Sequence, residues 1–162
     1  MFKLISMFVV GAGILLCDFL TKSAVYQSSN LPFVVFNNFL GIDFFINLAF
    51  NRGAAWGIFA NFQTALLILR IGVILGMLVY LFLRKNPKID FPLTLIIFGA
   101  IGNVIDYFCY GFVIDFLQFN LWGYHFPLFN IADSAITLGV VWLFISSFIY
   151  KKQQTDECSK TH

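Results

Sequence analysis

Histidine is nearly absent from this chain, and charge is scarce. The only histidines are His125 and His162, so no Ser/His/Asp triad, HExxH zinc site or histidine-ligated haem can be assembled. Cysteine is equally thin: Cys17, Cys109 and Cys158 have neither metal-ligand nor redox spacing and read as ordinary buried or tail thiols. Charged residues make up 11% of the 162 positions, against 60% hydrophobic residues, 22 phenylalanines and a mean hydropathy of +0.86. A surface so poor in charge cannot stay in water, which excludes a soluble domain and leaves an integral membrane protein. The net charge of +2 carries no sign of nucleic-acid binding, and no metal or cofactor is implied.

Long apolar runs are abundant. They lie at Thr64 to Leu83, Phe91 to Tyr110 and Ala135 to Tyr150, with another from Leu4 to about Leu20. Because crossing ~30 Å of hydrocarbon takes about 20 helical residues, the expected fold is an all-α membrane protein with four transmembrane helices. The spans fall at about 4–22, 63–84, 90–110 and 131–150 within a single domain of residues 1–162. Lys3 ahead of the first run also suits a cleaved signal peptide, but no small-x-small site ends that run and bulky Leu16 precedes Cys17, so it reads as a span. Outer loops occupy 23–62 and 111–130, and a polar tail, 151–162, is expected to have no fold of its own. In the first outer loop, Pro32, Asn37-Asn38 and Gly41 punctuate extended runs at Phe33 to Phe36 and Asp43 to Phe50, which predicts a small extracytoplasmic β-sheet. Gly53 to Phe59 is then expected to form a short interfacial helix, with Trp56 at headgroup depth.

Four spans put both termini on one side. That side, with the loop between the second and third spans, holds Lys3, Arg84, Lys85, Lys88, Lys151, Lys152 and Lys160, whereas the opposite side holds only Lys22 and Arg52. The bias sets both termini in the cytoplasm. Asp18, Asp106, Asp115 and Asp133 then gather at one level, the outer rim, whereas Asp90 begins the third span on the cytoplasmic side and Asp43 falls in the first outer loop.

An ionisable group at membrane depth is costly and persists where it pairs, relays protons or binds something. Two aspartates within reach of each other can hydrolyse a peptide bond: one, ionised, takes a proton from water while its protonated neighbour donates to the carbonyl oxygen. Like charges in a low-dielectric site cannot both ionise cheaply, so such a pair retains a shared proton. Asp115 and Asp133 are the candidates, because the stretch containing Gly111, Gly123 and Pro127 can fold back and bring them together. Two plainer readings stand beside this one: Asp133 caps the fourth span, and Asp18 pairs with Lys22 four residues on. A small transporter or an assembly factor could also carry such acids, although their gathering at one surface fits transport poorly.

Five phrases, in order, add to this: Asp18-Phe19-Leu20-Thr21-Lys22, Phe50-Asn51-Arg52-Gly53-Ala54-Ala55-Trp56, Gly102-Asn103-Val104-Ile105-Asp106, Val113-Ile114-Asp115-Phe116 and Phe129-Asn130-Ile131-Ala132-Asp133-Ser134. The series resembles lipoprotein signal peptidase, also called signal peptidase II, over nearly the whole chain. The resemblance implies an aspartic endopeptidase of the bacterial cytoplasmic membrane, with its active site at the extracytoplasmic face. It would remove signal peptides from prolipoproteins just before a diacylglyceryl-modified cysteine. The same resemblance makes Asp115 and Asp133 the catalytic dyad and Asp18, Lys22, Asn51, Gly53, Asn103, Asp106 and Asn130 the supporting or substrate-binding residues. Its partners are lipid-modified prolipoproteins and membrane lipids, with no cofactor, no nucleic acid and no oligomer implied. Two positions depart from the family: Tyr107 stands where an Arg usually follows the aspartate, and Trp56 replaces a Phe. Arg70, about two turns below the outer surface on the second span, is expected either to supply the missing positive charge or to snorkel to the interface.

Overall fold

The computed structural model describes residues 2–53, 62–83 and 87–160. Its helices are α1 (Phe2–Tyr26), α2 (Gln63–Leu83), α3 (Pro87–Tyr110) and α4 (Ile131–Lys160); its strands are β1 (Phe33–Phe39), β2 (Ile42–Asn51), β3 (Val113–Leu121) and β4 (Tyr124–His125). All four helices contain a stretch long and apolar enough to cross a membrane: Ile5–Tyr26, Gln63–Leu83, Ile89–Tyr110 and Ile131–Phe148. The protein is a four-helix membrane protein with a small antiparallel sheet. The interfacial helix expected at Gly53 to Phe59, with Trp56, lies outside the described residues beyond Gly53 itself.

Helix α3 is the centre of the bundle and packs against α4, α1 and α2. Close approach to its neighbours depends on glycine: a Cβ on Gly99 would lie 2.5 Å from the Ala132 carbonyl oxygen of α4, and one on Gly102 would lie 2.9 Å from Asp18 Oδ2 of α1. Small residues at helix contacts are what membrane bundles use where burial of apolar surface gives little drive. Against α2, Ile74, Leu93 and Ile97 make a buried apolar cluster. The large apolar residues of the outer faces, Phe8, Leu16, Ile68, Phe108 and Phe144 among them, remain exposed, as suits a surface bathed in lipid.

The sheet runs in the order β1-β2-β3-β4, every pair antiparallel. Both tight turns have two consecutive residues at positive φ, Leu40 (54°) with Gly41 (81°) and Trp122 (48°) with Gly123 (83°). That is the backbone whose twist matches paired strands. Three features differ from the sequence expectation. The 111–130 segment joins the sheet through β3 and β4, so Asp115 stands on a strand and not in a loop. Helix α1 continues to Tyr26. Helix α4 continues through the polar segment to Lys160, because Lys, Gln and Glu are good helix formers and nothing between Tyr150 and Lys160 breaks the pattern.

Candidate active site

Asp115 is held from two sides. Asn51, opposite Val113 in the β2–β3 register, lies diagonally across from Asp115 and donates from Nδ2 to Oδ2 at 2.9 Å. Asn130 Nδ2 donates to the other oxygen, Oδ1, at 2.7 Å. Asn130 also begins α4: its Oδ1 accepts from the Asp133 amide at 2.8 Å, the geometry of an N-cap serving the third helical residue. The cap of α4 is therefore Asn130, and the Asp133 carboxylate is released for other contacts. It accepts from Asn103 Nδ2 at 2.7 Å.

Beneath these lies a buried ionic cluster. Lys22, 2% exposed, donates to Asp18 Oδ2 at 2.6 Å and Asn103 Oδ1 at 3.2 Å, and pairs with Asp106 Oδ2 at 2.8 Å. The Asp18 and Lys22 pairing is the plainer reading given above, and it holds. The second oxygen of Asp18 accepts from the Ala132 amide at 2.9 Å, placing a carboxylate at the positive end of α4, and Asp106 accepts from the Ile114 amide at 3.1 Å. Because Asn103 Oδ1 receives both Lys22 and Asn130 Nδ2 (3.1 Å), its amide can only turn nitrogen-first toward Asp133. The cluster thus fixes helix α1, helix α3, strand β3 and the start of α4 against one another and orients the groups above it.

Four aspartates share this neighbourhood with one lysine. Burial, followed by the negative charge of Asp133, pushes Asp115 up to about 7, even though the amide of Asn51 and the charge of Lys22 pull the other way. A cavity of about 340 Å³ opens above, lined by Asn51, Gly53, Arg70, Asn103, Val113, Asp133 and the run from Phe126 to Phe129. Asp133 lines this cavity, and Asp115, 2% exposed, is bonded to another of its lining residues, Asn51.

Every site residue expected from sequence lies in this region: Asp18, Lys22, Asn103, Asp106, Asp115, Asn130 and Asp133 in the network, Asn51 at its edge, and Gly53 bonded to Asn51 through its amide (2.9 Å). Arg70, expected either to supply the charge missing at Tyr107 or to snorkel to the interface, makes no ion pair with Asp106 among the described residues. Lys22 pairs with Asp106, and Arg70 Nη2 donates to the Gly53 carbonyl at 3.0 Å. Tyr107 rests edge-on against Phe108. Pro127 and Phe129 are named in the sequence only as a loop residue and as the start of a phrase; that Phe126 to Phe129 form an apolar wall follows from the isolated bridge between Leu117 and Phe129, which no local signal announces.

Fold and site together define a multi-pass membrane protein with a carboxylate cluster and cavity at one end of its helix bundle. Comparison with known proteins places it further. Residues 10–149 match the signal peptidase (SPase) II family. The chain is 38% identical over 151 residues to a lipoprotein signal peptidase of Chlamydia pneumoniae, covering 88% of this chain and 89% of that one. It is 42% identical over 154 residues to that of Chlamydia abortus, covering 90% of each. Among solved structures it is similar to a bacterial membrane enzyme determined by the in meso method at 2.3 Å resolution, with a TM-score of 0.79, 28% identity and coverage of 91% of this chain and 90% of the other. The chain belongs to the signal peptidase II family and is a peptidase by that membership.

Proposed function

We propose that this protein is an aspartic endopeptidase that removes signal peptides from diacylglyceryl-modified prolipoproteins, cutting before the lipidated cysteine at the extracytoplasmic face of the bacterial cytoplasmic membrane. The observation that carries the reading is the linkage of Asp115 and Asp133. A single side chain, Asn130, donates to the Asp115 carboxylate and accepts from the Asp133 amide, and Asp133's charge raises Asp115's hold on its proton.

In this reading the dyad carries one proton at neutral pH, and the pair titrates as a unit. Asp115, the buried member, holds it. Asp133, facing the cavity, takes a proton from water, whose oxygen attacks the scissile carbonyl carbon while Asp115 protonates the carbonyl oxygen. As the C–N bond of the resulting diol breaks, one diol hydroxyl returns its proton to Asp115 to re-form a carbonyl, and the proton gathered by Asp133 passes to the leaving amine. Asn51, Asn103 and Asn130 hold the carboxylates in register, which is the positioning that such a step requires. Val113 and the Phe126 to Phe129 wall keep bulk water out. A cavity at the rim of the bundle suits a substrate that arrives sideways, with its signal helix and acyl chains still in lipid.

The test is direct. Purified protein in detergent is incubated with a diacylglyceryl-modified prolipoprotein and with its unmodified counterpart. Cleavage of the lipidated form alone is the expected result; equal cleavage of both forms would remove the substrate class from the proposal.

A further inference from the structure

Arg70 is a charged residue in a helix whose other residues are almost all apolar, and such a charge in a span is costly unless it is used. Helix α2 packs on α3 through Ile74 and its neighbours, and Arg70, four residues earlier on the same face, reaches the chain just past β2. There its guanidinium donates to the Gly53 carbonyl (3.0 Å), the Gly53 amide donates to Asn51 Oδ1 (2.9 Å), and Asn51 Nδ2 donates to Asp115 Oδ2 (2.9 Å). These bonds form an unbroken series from a transmembrane helix to the buried aspartate. The series also fixes the Asn51 amide: with Oδ1 taken by the Gly53 N–H, only its nitrogen can face Asp115.

We propose that Arg70 is a positioning residue for the reaction, clamping Gly53 so that Asn51 presents its amide nitrogen to Asp115. The inference rests on the dyad reading above. A guanidinium suits the task because its planar fork holds one direction while its charge survives partial burial; a lysine ammonium would keep the charge and lose the direction. Asp115 also faces Asp133 from α4 and Lys22 from α1, with Asp106 on α3 paired to that lysine, and an Arg70 substitution leaves all of them in place.

The experiment uses the full-length protein in detergent with a lipidated prolipoprotein, comparing wild type, Arg70→Gln, Arg70→Lys, Asn51→Ala and the Arg70→Gln/Asn51→Ala double variant. Arg70→Gln should lower kcat by on the order of tenfold with KM little changed. It should move the alkaline limb of the pH profile upward, as Asn51→Ala does, because both remove or loosen a donor that favours the ionised Asp115. The double variant should be no worse than Asn51→Ala alone, and Arg70→Lys should recover part of the rate. Wild-type kcat and pH profile in Arg70→Gln, a loss confined to KM, or losses that multiply in the double variant would each overturn the proposal. Asp115→Asn, run alongside, separates the two claims: cleavage retained there defeats the dyad, whereas an inactive Asp115→Asn beside a normal Arg70→Gln defeats only the role of Arg70.

Discussion

Asn103 shows how much a single side chain decides in this site. Its oxygen is saturated by Lys22 and Asn130, so its nitrogen must serve Asp133, and one amide joins the buried ion cluster to the cavity. Lys22 is the hub of that cluster. Replacing it with Met leaves Asp18 and Asp106 buried with no cation, a change that costs about 3–5 kcal/mol when one partner of a buried pair is removed. Lys22→Met is therefore expected to lower the thermal midpoint sharply and to reduce the amount of protein recovered from membranes, as size-exclusion yield and melting curves would report. Asp115 makes a second prediction, in pH. Its proton affinity is raised to about 7 in the folded protein, above the ordinary carboxylate value, so between those values the folded state binds more protons than the unfolded state. Stability from this group is full below the unfolded value and is lost as pH rises through about 7. The thermal midpoint in detergent should fall between pH 5 and pH 8, and Asp115→Asn should flatten that slope.

At the scale of elements, the first turn of α4 does two tasks: Asn130 caps the helix, and the cap frees Asp133 to face the cavity. Asn130→Ala removes a cap worth about 1 kcal/mol, but it also strips Asp115 of a donor, so cleavage should fall by far more than the melting curve suggests. The α3–α4 contact offers a structural counterpart. Gly99→Ala drives a methyl group against the Ala132 backbone and should destabilise by about 1–3 kcal/mol. Gly72→Ala and Gly76→Ala on α2 meet open space and should be neutral or slightly stabilising, so melting of the three variants side by side tests the packing. The helices were legible in the sequence because twenty-residue apolar runs have few other uses. The first hairpin was legible in part, through Asn38 and Gly41. Strand β3 was missed because Val113 to Leu121 reads as a mixed loop; its pairing partner, β2, lies more than sixty residues earlier in the chain. No local window reports a long-range pairing.

For the whole molecule, the arrangement gathers Asp18, Lys22, Asp106, Asp115 and Asp133 at one end of the bundle and leaves the lipid-facing surfaces apolar. The lysine and arginine bias is readable residue by residue, and it predicts that a reporter fused after His162 is active only in its cytoplasmic form; activity of an externally active reporter at that position would overturn the expected topology. The site was legible in a different way. Asp115 and Asp133 could be nominated from their apolar surroundings, yet position alone could not separate a catalytic acid from a cap. The structure gives the cap to Asn130, which removes the capping reading of Asp133. Likewise Arg70 stood out as a charge in a span, but its partner, the Gly53 carbonyl, is a backbone atom that no side-chain pattern announces.

The central claim is that Asp115 and Asp133 are the hydrolytic pair. The most direct measurement is the single-turnover rate of lipidated prolipoprotein cleavage by wild type, Asp115→Asn and Asp133→Asn, each first shown to be folded by an unchanged elution volume and a cooperative melt. Each substitution is expected to lower the rate by about a thousandfold or more, since each would remove a proton-transfer group that no neighbour can replace. Cleavage within about tenfold of wild type by either folded variant would contradict the claim.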